Sequence, residues 1–154
     1  MEIASFLSED SILPSLKAGS KKQAFHLLAS KAAHITGIAE GAVLETLTAR
    51  ERLGSTGAGH GVAIPHGRFP SLNHIFGIFA RLETPIEFEA IDHIPVDLIF
   101  LLLVPDSAGA AHLKALAKIS RLLKDKSVCE KLRGCTSADA IYVLLTQHQM
   151  NNAA

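Results

Sequence analysis

The chain has 154 residues, 48% of them apolar and 19% charged, which suits one domain with a substantial core and excludes disorder. Fifteen basic residues balance fifteen acidic ones, so nucleic acid is not the expected partner, because binding to a phosphate backbone is mostly electrostatic. The longest apolar run, Val96 to Val104, is interrupted by Asp97 and falls far short of the ~20 residues that span a bilayer.

The opening residues, MEIASFLSED, show no basic stretch followed by an apolar one, so no secretory signal is expected. The segment through Ser11-Ile12-Leu13-Pro14 reads as extended or irregular chain. Ser20 is placed to cap a helix that starts at Lys21, carries Ala24, Leu27, Leu28 and Ala32 at helical spacing, and ends near Thr36-Gly37. A second helix is predicted from Ala39-Glu40 toward Arg50, with Val43, Leu44 and Leu47 inward; the run from Gly54 to Gly57 stops it.

The middle of the chain changes character. Gly61 to Ile64 reads as a short strand ending at Pro65, and Ile75 to Leu82 as a β-branched and aromatic strand. Val96 to Val104 reads as a central strand buried on both faces. After Pro105 the period is helical again: Leu113, Leu116, Ala117, Ser120 and Leu123 form the expected inward stripe, with Asp106 or Ser107 as the cap. Ser127 is the expected cap of a short helix through Leu132, and Ser137 that of a last one carrying Ile141, Leu144 and Leu145. Together these predict an α/β fold: a single domain over residues 1–150, a mixed sheet flanked by helices, and a frayed tail at Asn151 to Ala154. Cys129 and Cys135 stand six positions apart and diverge on a helix, so two reduced thiols and a cytoplasmic location are expected.

Five of the eleven glycines fall between Gly54 and Gly67, and such a loop suits an anion because it offers N–H donors without obstruction. It lacks the spacing of a nucleotide P-loop and of a dinucleotide fingerprint. His66 stands between Pro65, which stiffens the backbone, and Gly67, which permits an unusual turn. In an extended segment His60, Val62, Ile64 and His66 share one face. A neutral imidazole is a competent nucleophile near neutral pH when its other nitrogen is oriented. A surface histidine in a Pro-Gly turn explains the same residues, and the residues by themselves do not choose. His60, His66, His74 and His112 could supply metal ligands, but their spacing matches no compact motif. A binding module without phosphate transfer is a further alternative. Neither Ser55 nor Ser107 sits in a nucleophile elbow, which argues against a serine hydrolase.

The stretch Gly-Ser-Thr-Gly-Ala-Gly-His-Gly-Val-Ala-Ile-Pro-His-Gly-Arg, from Gly54 to Arg68, resembles the phosphohistidine signature of the type 2 enzyme IIA family of the phosphoenolpyruvate-dependent phosphotransferase system. The resemblance extends from about Ser20 to Leu145, including Leu82 to Ile86 and Leu102 to Pro105. The lead-in Arg50 to Gly57 is similar to the nitrogen-regulatory branch rather than the sugar-specific ones. The resemblance implies that His66 accepts a phosphoryl group from an HPr-like phosphocarrier. It implies that Arg50 lies close to the phosphate, that His112 is a second active-site histidine, and that Ser55, Thr56 and Gly67 belong to the loop around the site. It further implies no bound metal or organic cofactor, no membrane insertion, and output through protein partners in nitrogen, potassium or carbon control. The alternative is a sugar-specific IIA that hands phosphate to a IIB domain. Ala58 and His60 depart from the family pattern, and His60 is expected to set a second titratable ring beside His66.

Overall fold

In the computed structural model, ten residues of almost unbroken apolar chain form the axis of a six-stranded mixed sheet. The structure describes the backbone of residues 1–153 and the side chains of residues 1–147. The strands are β1 (Ile12–Leu16), β2 (Gly57–Gly59), β3 (Val62–Ala63), β4 (His66–Phe69), β5 (Phe76–Ile86) and β6 (Val96–Pro105). The helices are α1 (Lys21–Thr36), α2 (Glu40–Leu53), α3 (Ala110–Lys124), α4 (Lys126–Arg133) and α5 (Ala138–Ala153).

The central position of β6 follows from its composition, since a strand covered on both faces needs apolar side chains on both. Leu98, Phe100, Leu102 and Val104 face one core, packed by α3, α4, α5 and the two 3-10 turns that precede β1. Ile99, Leu101 and Leu103 face the other, packed by α1 and α2. Truncating the fully buried Phe100 to alanine would cost about 3–5 kcal/mol. Asp97, the one charge in the run, is kept by Arg133, whose Nε donates to both carboxylate oxygens at 2.9 and 3.0 Å.

Along one side of β6 run β5, antiparallel, and then β1, parallel to β5. Along its other side run β3 and β4, both parallel to β6, with the short β2 paired outside β3. Val62 pairs with Leu98 and His66 with Leu102, the same offset, so β3 and β4 form one extended path. The strand does end before Pro65 as expected, since proline has no N–H to give the ladder, while the Pro65 carbonyl accepts from Leu102 N–H at 2.9 Å and carries the path into β4. His66 is the first residue of β4.

The first helix matches its expected limits. Ser20 accepts from Gln23 N–H at 3.1 Å, and Gly37 closes the helix in the left-handed region at φ 78°. The second runs one turn beyond Arg50, to Leu53. Three expectations are corrected. The third helix is led by Gly109, in a conformation (φ 50°) that favours glycine, and not by Asp106 or Ser107. Its buried stripe is His112, Ala115, Ile119, Leu122 and Leu123, while Leu113 is 68% exposed. Both stripes satisfy the helical repeat and differ by one position, so only the entry loop decides the phase. The cap of α4 is Asp125, which accepts from Ser127 and Val128 N–H, because a carboxylate two residues ahead outcompetes the Ser127 hydroxyl. Ser137 does directly precede α5, its carbonyl accepting from Ile141 N–H. The expected frayed tail, Asn151 to Ala154, lies outside the described side chains.

Candidate functional site

His66 opens β4 on the face that carries Val62 and Ile64, toward α3. It is half-buried, and its Nδ1 lies 3.0 Å from the carbonyl oxygen of Ile64. A carbonyl only accepts, so Nδ1 carries the ring proton and Nε2 keeps the free lone pair. Pro65 makes this tie possible. It holds the backbone between acceptor and ring in a narrow φ range.

His112 is the third residue of α3, within the first turn, where helix N–H groups favour negative charge and disfavour imidazolium. Its ring meets that of His66 at 5.4 Å between centroids and 64° between planes. Only 8% of the residue is exposed, and among the described residues neither ring nitrogen has a hydrogen-bond partner. Burial, then the neighbouring His66 and Arg68 charges, hold its pKa below the ordinary histidine value. A neutral imidazole with one free N–H and one free lone pair therefore stands beside His66.

Arg50 is half-buried on α2, with one Nη donating to the Gly54 carbonyl at 2.9 Å. One turn earlier on the same face, Thr46 packs against Gly67: a Cβ at Gly67 would lie 2.9 Å from the Thr46 methyl. The missing side chain of Gly67 thus brings α2 against β4. Ser55 and Thr56 are on the loop between α2 and β2, with both hydroxyl protons committed there. Ser55 donates to the Phe88 carbonyl at 3.2 Å, and Thr56 Oγ1 donates to Glu51 at 2.5 Å. The Thr56 carbonyl accepts from Ile64 N–H at 3.0 Å, which ties the loop to the segment that aims His66.

Two residues that the sequence did not single out support this loop. Glu51, whose side chain is 7% exposed, pairs with Lys21 at 2.8 Å, and Lys21 also donates to the Phe88 carbonyl at 3.1 Å. Nothing local in Arg50-Glu51-Arg52 distinguishes the buried charge from its exposed neighbours. A third, Arg68, alternates with His66 along β4 and acts electrostatically on His112. Continuing the predicted strand through Pro65 would have found it.

The expectation that His60 sits beside His66 is corrected. His60 lies in the turn between β2 and β3 at φ 56°, not in an extended segment. Its N–H donates to Asp92 at 2.8 Å and its carbonyl accepts from Arg133 at 2.9 Å. His74 is held apart by Asn73 and by the Phe76 ring. Among the described residues no group of three or more His, Cys, Asp or Glu is arranged to hold a metal ion. Cys129 and Cys135 are both free thiols, and no described helix is long and apolar enough to cross a membrane.

The mixed sheet thus presents one carbonyl-anchored imidazole beside a second, buried one that has no partner among the described residues. Residues 5–148 match the family model for the phosphoenolpyruvate-dependent sugar phosphotransferase system, EIIA 2. The chain belongs to that family. It is 57% identical over 145 residues to a nitrogen regulatory protein of Bradyrhizobium diazoefficiens, covering 94% of this chain and 95% of that one. A nitrogen regulatory protein of Escherichia coli is 37% identical over 147 residues, 95% of this chain and 90% of its own. The crystal structure of the nitrogen regulatory protein IIA-Ntr from Neisseria meningitidis superposes with a TM-score of 0.89 at 40% identity, covering 94% of this chain and 99% of that one. Within the family the chain falls with the nitrogen-regulatory branch.

Proposed function

We propose that the protein is a cytoplasmic phosphoryl carrier whose His66 accepts a phosphoryl group from the phosphohistidine of a small HPr-like carrier, and that its charge state regulates protein partners in nitrogen, potassium or carbon metabolism. The observation that carries this reading is the pairing of His66, its Nδ1 tied to Ile64, with a buried His112 that has no partner of its own. Nε2 of His66 attacks phosphorus in line. The donor's P–N bond breaks as the new one forms, the donor ring keeps the electron pair, and the proton stays on Nδ1, donated to the Ile64 carbonyl. Transfer of this kind needs positioning and stabilisation of charge on the equatorial oxygens more than covalent chemistry. The neutral His112 supplies one N–H donor. The Arg50 guanidinium supplies a charge-assisted fork once it exchanges the Gly54 carbonyl for phosphate. Ser55, Thr56 and Gly67 act by shaping the loop and by seating α2 against β4. The added phosphate brings roughly −1.5 to −2 charges to a half-buried surface, enough to switch a docking face.

The experiment is transfer from a labelled phosphocarrier. An acid-labile label on the wild type that is absent from His66→Ala is expected. No label, or a label that survives the substitution, rejects the carrier role and leaves a binding module. Onward transfer to a IIB domain would assign the sugar-specific role instead.

A further inference from the structure

A cavity of about 530 Å³ opens on the α3 and α4 side of the sheet, His112 is not among the residues lining it, and the proposed transfer reaction does not use it. Its volume falls in the range of ligand pockets, roughly 300–1,000 Å³. Val62, Ile64, Leu123 and Cys129 line it with apolar surface. At its rim stand Lys124 and Lys126, both exposed and neither in an ion pair among the described residues. Arg133 also lines it, but its charge is answered by Asp97 at 2.9 Å. One carboxylate, Glu130, faces the same space. Among the lining groups, two ammonium groups against one carboxylate leave an excess positive charge, and Asp125, between them in sequence, directs its carboxylate to the Ser127 and Val128 N–H groups.

The wall is built rather than incidental. The turn Gly59-His60-Gly61 is left-handed throughout, at φ 94°, 56° and 82°. It is pinned by Asp92 on the His60 N–H and by Arg133 on the His60 carbonyl. A Cβ on Gly61 would come within 2.7 Å of the Arg133 guanidinium, so the close approach requires glycine. Pinned walls keep the cavity open without a ligand to order it, which lowers the cost of binding.

We infer that this cavity is a binding site for a small organic monoanion, a carboxylate with a short apolar tail, and that its occupancy is felt at His66. The carboxylate sits between Lys124 and Lys126, and the tail lies on Val62, Ile64 and Leu123. Glu130 and the apolar floor disfavour a second negative charge, since burying an unpaired charge is costly. Coupling follows from Ile64, whose side chain lines the cavity while its carbonyl holds Nδ1 of His66 at 3.0 Å. A ligand that presses on Ile64 alters the aim of the ring. This last step rests on the reading of His66 as the transfer residue, whereas the binding site does not.

The test is a titration of methyl- and ring-labelled protein with hexanoate, compared with adipate and with hexylammonium, followed by nuclear magnetic resonance. Saturable shifts at the Val62, Ile64 and Leu123 methyls with hexanoate are expected. Adipate should bind more weakly and hexylammonium should not bind. Lys124→Glu with Lys126→Glu should weaken hexanoate by at least about tenfold. Absence of saturable methyl shifts, an equal response to hexylammonium, or full binding by the double variant overturns the site. Methyl shifts without a parallel shift of the His66 ring overturn the coupling. A protein that binds hexanoate but never takes up phosphate would reject the carrier reading and keep the site.

Discussion

The ring of His112 meets the ring of His66 edge-on, 5.4 Å between centroids, with both of its own nitrogens buried and unpartnered among the described residues. A buried polar group without a protein partner costs about 1–3 kcal/mol, so this histidine does not contribute to the stability of the fold through hydrogen bonding. His112→Leu should therefore leave the fold at least as stable, by up to about 1 kcal/mol in urea unfolding. Transfer to His66 should fall roughly 10²-fold, the usual loss for one preorganised donor. Unchanged transfer in this variant would remove His112 from the reaction.

The depressed pKa of His112 sets a pH dependence of stability. Burial keeps the folded ring neutral below the ordinary value of 6.5, while the unfolded ring protonates near that value. Below pH 6.5 the unfolded state binds more protons, so stability drops as pH falls toward the folded pKa and is fully present above 6.5. Denaturation midpoints measured across this range should fall less steeply for His112→Leu than for wild type. Parallel curves would show that another group governs the acid limb.

Gly67 and Thr46 should couple. Gly67→Ala places a Cβ 2.9 Å from the Thr46 methyl, and overpacking of this kind costs about 1–3 kcal/mol. Adding Thr46→Ser, which removes that methyl, should recover a large part of the loss. A double-mutant cycle showing strict additivity would mean that the close approach of α2 to β4 does not depend on this glycine.

Thr56→Val keeps the shape of the side chain and deletes its hydrogen bond to Glu51. Because the acceptor is a nearly buried carboxylate, a loss of about 1.5–3 kcal/mol is expected, above that of an ordinary hydrogen bond. Calorimetry of the variant tests this, and a change near zero would mean that the Thr56 N–H and Lys21 hold Glu51 by themselves.

Arg50→Lys and Arg50→Ala should behave nearly alike in phosphotransfer, each losing about 10²-fold or more, because a compact ammonium cannot reproduce a planar two-pronged donor. Both should stay within about 0.5 kcal/mol of wild-type stability, as expected for a residue whose only acceptor among the described residues is the exposed Gly54 carbonyl. Full activity of Arg50→Lys would reduce its role to charge alone.

Most of the fold was legible because it depends on local rules. Apolar runs mark β6, Ser20 and Gly37 bound the first helix, and Pro65-His66-Gly67 announces a constrained imidazole. Residues whose meaning comes from another segment were not legible. Leu113 and His112 stand next to each other in a helix that admits either phase, and the φ of Gly109 turns one outward and the other in. Glu51 and Arg52 look alike in sequence, yet Lys21, thirty positions earlier, buries one of them. His60 shares an alternating pattern with His66 until Asp92 and Arg133 pull it into a left-handed turn. Short-range sterics and hydrophobic period are written in consecutive residues, so sequence alone determined the elements. Burial and electrostatic pairing are sums over segments distant in the chain, and for that reason only the tertiary structure decided which groups surround His66 and in what charge state.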